Sequence, residues 1–229
     1  QKSNQISSVR DSIYNHEVAL SGMKLNSVPE DIYSYATNIF KIDLSKNILP
    51  SIDLRFTEFE SLGDLNLNDN KIQEIPEFFS NFKTLKTLSI SKNNVKSILS
   101  LPLSLERLDL SWNRMGTFPN CLGNLKFLYF LELSGNGFQT TSIFPNSINE
   151  LYLNDNKIST LDNNITELPN LEVLCIENND LSIIPSILGF KDKIRTLKLE
   201  GNPQKMIRRQ VLEKGTKSIL EYLKSRHVV

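Results

Sequence analysis

Histidine and cysteine are nearly missing from this chain, which has two of each among 229 residues. His16 and His227 stand at opposite ends of the sequence, so no histidine pair is placed to share a metal or relay a proton. Cys121 and Cys175 have no neighbouring base that would activate a thiol. Two cysteines at that separation make neither a zinc motif nor a disulfide framework. No metal, no cofactor and no catalytic group is therefore expected, and the chain reads as a non-enzyme. Net charge is missing as well, because 26 basic residues balance 26 acidic ones. That removes the general case for nucleic acid as a partner. No apolar run approaches the roughly 18 residues of a membrane span. Gln1 to Arg10 is polar and contains no secretory core, so the expected location is the cytoplasm, with the nucleus as the alternative.

Three short motifs also lack what their chemistry needs. Asn68-Asp69-Asn70 has neither the glycine nor the closing glutamate of a calcium loop. Gly215-Thr216-Lys217 lacks the upstream glycine of a phosphate loop. Asn164-Ile165-Thr166 is a glycosylation sequon of the sort that a chain rich in asparagine produces by chance.

What is present is a repeat. The phrase Leu-x-x-Leu-x-Leu-x-x-Asn, with isoleucine allowed for leucine, ends at Asn47, Asn70, Asn93, Asn113, Asn136, Asn156, Asn179 and Asn202. A degenerate copy precedes them, in which Val18 and Leu20 keep the register and Met23 stands where asparagine belongs. Counting Met23, the steps are 24, 23, 23, 20, 23, 20, 23 and 23 residues. Alternation of apolar residues predicts a short strand with one buried face in every repeat. The chain must then turn with backbone groups leaving water, and a carboxamide, which both donates and accepts, can satisfy them; the asparagines are read as a structural ladder. Ile75-Pro76, Phe118-Pro119, Phe144-Pro145 and Ile184-Pro185 favour extended or turn conformations on the return path. Stretches such as 77–82 and 186–190 can form about one helical turn there, and the longer outer arc predicts curvature. The two 20-residue repeats, ending at Asn113 and Asn156, are expected to replace helix with extended chain. Nine strands about 4.8 Å apart give an inner face on the order of 40 Å long. The predicted fold is an α/β solenoid, a right-handed, curved horseshoe of about nine repeats with a C-terminal capping helix.

The predicted organisation is a tail over 1–12, a solenoid over 13–203 and a helical cap over 204–229. Within the cap, Ile207, Val211, Gly215, Ile219 and Leu223 recur every four residues, widened by Leu212 and Leu220, and Gly215 is expected to break the helix. From Pro203 onward there are seven basic and two acidic residues, so this segment carries plus five and residues 1–202 carry minus five. Arg208 and Arg209 make the cap a candidate second contact.

The phrase and its 23-residue step resemble the leucine-rich repeat superfamily over 13–203, more than four-fifths of the chain. The end is more specific. Leu199-Glu200-Gly201-Asn202-Pro203, Ile207-Arg208-Arg209, Lys214-Gly215-Thr216 and Ile219-Leu220-Glu221-Tyr222-Leu223 resemble the closing segment of the leucine-rich repeat-containing protein 40 family. The opening, Ala19-Leu20-Ser21 through Val28-Pro29-Glu30-Asp31, is similar to the start of that family's C-terminal half. The resemblance implies an intracellular, non-enzymatic repeat protein, and a chain that is a shortened member or a fragment. The disulfide-bonded caps of secreted leucine-rich repeat proteins have no counterpart in two cysteines.

Partner residues are sought at the outward positions of the strands. Between the strand leucines stand Ala19, Asp43, Asn66, Ser89, Asp109, Glu132, Tyr152, Cys175 and Lys198; two residues earlier stand Glu17, Lys41, Asp64, Thr87, Arg107, Phe130, Glu150, Val173 and Thr196. The first half is small and polar, and large side chains enter from the fifth repeat. The candidate partner-binding set is Arg107, Asp109, Trp112, Tyr129, Phe130, Glu132, Tyr152, Val173 and Cys175: aromatic residues ringed by charge, as in interface hot spots. Over five outward positions per repeat, twelve residues are acidic and seven basic. A protein partner offering a basic or amphipathic segment is expected there, and nucleic acid is not. The function expected is a scaffold or adaptor binding protein on the concave strand face. The alternative is a constitutive subunit of a larger assembly held by the convex side and the cap.

Overall fold

Each repeat builds one coil: a three-residue strand, a turn closed by the repeat's asparagine, and an outer return path. The computed structural model describes residues 13–141 and 143–227, so the tail expected over 1–12 lies outside the described residues. The chain forms two compact units, Gln1–Asn113 and Arg114–Val229.

In the first unit, β1 (Ile13–Tyr14) and β2 (Glu17–Ala19) form an antiparallel hairpin turned by Asn15 and His16, both at positive φ. There follow β3 (Lys41–Asp43), β4 (Asp64–Asn66), β6 (Thr87–Ser89) and β8 (Arg107–Asp109), each parallel to its predecessor from β2 onward. Their central residues Val18, Ile42, Leu65, Leu88 and Leu108 align in register and are buried. The outer side carries 3₁₀ segments at Glu30–Asn38, Leu54–Glu58 and Glu77–Asn81. In the 20-residue repeat ending at Asn113 the outer path is instead extended, and β7 (Ser97–Ile98) pairs with β5 (Glu74–Ile75) in a second parallel ladder. Tyr33, Phe56 and Phe59 interlock beneath the outer segments. Arg55 lies 3.9 Å from the Tyr33 ring centre and is ion-paired with Glu30 and Glu58.

The second unit stacks β9 (Phe130–Glu132), β10 (Glu150–Tyr152), β11 (Val173–Cys175) and β12 (Thr196–Lys198) in parallel. Its outer segments are 3₁₀ turns at Asn120–Asn124 and Ser186–Phe190 and a short α-helix at Asn163–Glu167, opened by an Asp162 side-chain cap. Five of the six outer segments in the two units are thus 3₁₀ rather than α, and all but Glu30–Asn38 span only five residues, the short length in which 3₁₀ turns commonly serve as connectors. Two helices, Arg209–Glu213 and Thr216–Ser225, follow the last strand, separated by Gly215 at φ 84°. Ile207, Ile219 and Leu223 are buried, whereas Val211, Leu212 and Leu220 are only half-buried. The outer edge of β12 is closed by side chains: Leu197 N–H donates to Thr216 Oγ1 at 2.9 Å and, just beyond the strand, Leu199 N–H donates to Glu200 Oε2 at 3.0 Å. Such closure blunts an edge that could otherwise pair with another chain. Both histidines have structural contacts: His16 Nδ1 lies 2.7 Å from the Asn38 carbonyl and His227 Nδ1 lies 3.0 Å from Ser186 Oγ.

The asparagine amides run through both stacks. In all eight, Nδ2 donates to the carbonyl three residues before it. Within each unit Nδ2 also reaches the matching carbonyl of the preceding repeat: Leu20, Leu44, Leu67 and Ile90 in the first, Leu133, Leu153 and Ile176 in the second. In seven of the eight, all but Asn136, Oδ1 accepts an N–H of the preceding coil, as from Leu49 at 3.0 Å to Asn70 and from Ile158 at 2.9 Å to Asn179. The residue before each asparagine is left-handed, with φ between 53° and 75°. A second polar row, absent from the sequence reading, runs on the other side of the strands. Ser61, Thr84 and Ser104 in the first unit, and Ser147 and Asn170 in the second, donate to carbonyls of the preceding coil. Phe127 occupies that position in its own repeat and is 65% exposed.

Two stability outcomes follow. Asn70→Ala leaves the Leu49 N–H without an acceptor and takes one of two donors from the Leu44, Leu67 and Asn68 carbonyls, and chemical denaturation is expected to register a loss of roughly 1–3 kcal/mol. At Gly189 an added methyl would overlap the Lys224 amide and crowd the Leu220 carbonyl. Gly189→Ala should therefore push the terminal helix off its repeat, read as faster hydrogen exchange at 219–223 than in the parent protein.

Candidate functional site

Alternation along a strand turns the residues flanking each buried leucine to the opposite face, and that face carries the candidate residues. Those of the first unit are Arg107 and Asp109, half-buried on β8, and Trp112 in the following turn. Trp112 is 53% exposed and left-handed at φ 55°. Equivalent turn positions hold Lys46, Asp69, Lys92, Gly135, Asp155, Asn178 and Gly201. Neither the core nor the turn geometry favours tryptophan there, since αL is costly for a bulky side chain. Asp109 is already engaged: its Oδ1 accepts the Ser111 N–H at 2.9 Å and the Ser111 hydroxyl at 2.7 Å.

The second unit brings the remaining candidates together on three adjacent strands. Register places Glu150 beside both Phe130 and Val173, and Tyr152 beside both Glu132 and Cys175. Phe130 and Tyr152 are therefore diagonal neighbours, with ring centres 5.4 Å apart and planes at 45°. The Tyr152 hydroxyl donates to Glu150 Oε2 at 2.9 Å, which orients both groups. Burial, aided by that bond to a carboxylate, pushes the Tyr152 phenol up to about 12. Tyr129, just before β9, is half-buried, and so is Val173. Glu132 resembles Asp109 in its use: its Oε1 accepts the Ser134 N–H at 2.8 Å. Asp43 and Asn66 close their own turns in the same manner. This side-chain-to-backbone bond two residues on was missed in the sequence, although the polar residue at that position recurs.

Cys175 corrects one expectation. It was placed among the surface contacts, yet it is only 7% exposed. Its short side chain sits between the longer Tyr152 and Lys198 in register and is covered by its surroundings. Burial, then the nearby Glu177 charge, pushes its thiol up to about 11. It is a neutral floor to the site rather than a nucleophile. Cys121 is likewise raised by burial. Among the described residues no cluster of histidine, cysteine, aspartate and glutamate could hold a metal ion. No helix among them is long and apolar enough to cross a membrane.

Charge divides between the units. Over the five outward positions, the first unit has Glu17, Asp43, Asp64, Asp69, Glu106 and Asp109 against Lys41, Lys46, Lys86, Lys92 and Arg107. The second has Glu132, Glu150, Asp155, Glu172, Glu177 and Glu200 against only Arg195 and Lys198. The acidity of the inner face thus belongs to the unit that carries the aromatic pair.

Comparison with known proteins agrees with this architecture. Residues 61–82 and 104–125 match the model of the Leucine Rich Repeat family. A solved structure of a leucine-rich repeat protein from Leptospira interrogans superposes with a TM-score of 0.77 over 91% of this chain, at 22% sequence identity. The chain corresponds to 60% of that protein's length. The fold is that of leucine-rich repeat proteins.

Raised thiol and phenol pKa values have a consequence for stability. A group held protonated by the fold adds stability in full below its ordinary value, here 9.0 for Cys175 and 10.0 for Tyr152, and that stability disappears as pH rises through the folded value. Melting temperature should hold to about pH 9 and fall toward pH 12, with the drop reduced in Cys175→Ala/Tyr152→Phe.

Proposed function

We propose that this chain is a non-enzymatic protein-interaction scaffold or adaptor whose strand face binds a basic or amphipathic segment of a partner protein. Leucine-rich repeat proteins generally mediate protein–protein interaction. The observation that carries the reading for this chain is the Phe130–Tyr152 pair, oriented by Glu150 and set in the acid-rich face of the second unit. Half-buried aromatic rings supply contact area at small entropic cost, and the flanking carboxylates Glu150 and Glu177 select for positive charge. Trp112, exposed on the first unit, is a candidate contact of that unit in its own right. The closing segment supports kinship with the leucine-rich repeat-containing protein 40 family and a cytoplasmic setting.

Use of the chain as bait in an extract of its source, beside Phe130→Ala/Tyr152→Ala, tests the site. The double variant should retain its circular dichroism spectrum and lose its dominant prey, corresponding to at least about 2 kcal/mol of binding. Unchanged capture by the variant would sink the assignment. A second reading, a constitutive subunit held by its convex side, is supported by Ile183, which is 70% exposed on the outer path of the last repeat, near the exposed Ile187 and Phe190. Ile183→Asp would then release the same prey that Phe130→Ala/Tyr152→Ala leaves bound.

A further inference from the structure

We propose that the basic C-terminal segment is a docking patch for a short acidic segment of a partner protein, separate from the strand face. Lys205, Arg208, Arg209, Lys214 and Lys217 are all exposed. Cations on a terminal helix are ordinarily explained by the macrodipole, which favours positive charge in the last turn. Three of these five are at the opposite end. Arg208 is the N-cap residue and Arg209 the first residue of Arg209–Glu213, and Lys217 is the second residue of Thr216–Ser225. Neither helix has an acidic residue in its first turn. These side chains work against the helices that carry them, so helix stability does not account for their charge. Nor do ion pairs: among the described residues only Arg209 of the five is paired, to Glu213 Oε1 at 2.8 Å.

The patch is held in shape from beneath. Gln204 is 8% exposed; its amide accepts the Ile207 N–H at 2.8 Å and donates to the Ile207 carbonyl at 3.3 Å. The Tyr222 hydroxyl donates to the Met206 carbonyl at 2.6 Å, tying the loop that carries Lys205 and Arg208 to the terminal helix. A backbone fixed in advance loses little entropy on binding. Half-buried Val211 and Leu212 lie in sequence between the cations, so the complementary ligand carries carboxylates with an apolar residue among them. Nucleic acid and anionic membranes present continuous negative surfaces much wider than this patch. The acid-rich strand face of the same unit would oppose them, whereas a short segment meets only the cations.

The test measures binding to the full chain by fluorescence anisotropy. The probe is a fluorescein-labelled decapeptide of glutamates interrupted by leucines; its glutamine counterpart, a short DNA duplex and phosphatidylserine vesicles are the comparisons. The acidic peptide should bind at low salt and weaken as salt rises, and the glutamine peptide should not bind. Arg208→Glu/Lys217→Glu should weaken the peptide about tenfold or more. The same variant should keep or raise Tm, because it places acidic residues where the macrodipole favours them. Phe130→Ala/Tyr152→Ala should bind the peptide like the parent protein, which separates this patch from the strand face. No binding of the acidic peptide, binding untouched by the charge reversal, or preference for DNA or vesicles would each overturn the proposal.

Discussion

The carboxamide of seven of the eight ladder asparagines is bonded on both sides, through Nδ2 to carbonyls at the ends of strands and through Oδ1 to an amide of the preceding coil; Asn136 bonds through Nδ2. Such an amide replaces the water that the backbone gives up when the chain turns into the core. No other small side chain can donate and accept in one plane in this way, and loss of one such as Asn70 leaves a buried backbone amide unpaired and weakens the pairing of several carbonyls. The left-handed residue before each asparagine belongs to the same turn, as do the polar side chains that close it from the strand. The stacked strands, their common register and the path of the outer arc all rest on this repeated turn.

That dependence shapes what the inner face can do. Asp43, Asn66, Asp109 and Glu132 face outward yet bond to the backbone two residues on, so part of their capacity is committed to folding. The side chains left to vary without disturbing a turn are those further along the face. In the second unit these are Phe130, Glu150, Tyr152, Val173 and Glu177. Aromatic area and negative charge coincide at residues that the coil itself does not need.

Much of the architecture was readable because it is periodic. The recurrence of leucine and asparagine located the strands, and the two missing stretches of three residues marked the repeats whose outer path has no helix, among the described residues. The second polar row was also visible, as a serine or threonine before the first leucine of several repeats, but a hydroxyl residue at one offset has no signature as specific as asparagine. Cys175 was placed correctly on its strand and wrongly on the surface. Alternation determines which way a side chain points, while its burial depends on the length of its neighbours on the adjacent strands, Tyr152 and Lys198. Similarly, the cations of the C-terminal segment could be counted in the sequence, but their conflict with the macrodipole required the helix boundaries.

Sequence alone determined the coil: which residues face the core, where each turn falls, and which amide closes it. These are properties of local order, repeated with a constant step, and local order is what a linear pattern records. The tertiary structure decided which outward residues remain available, that Phe130 and Tyr152 meet diagonally, that the Tyr152 hydroxyl is held by Glu150, and that the chain forms two compact units. Apart from the Tyr152–Glu150 bond, which lies within one strand, those outcomes depend on contacts between residues some twenty positions apart, where side-chain lengths and register act together and no single repeat contains the information.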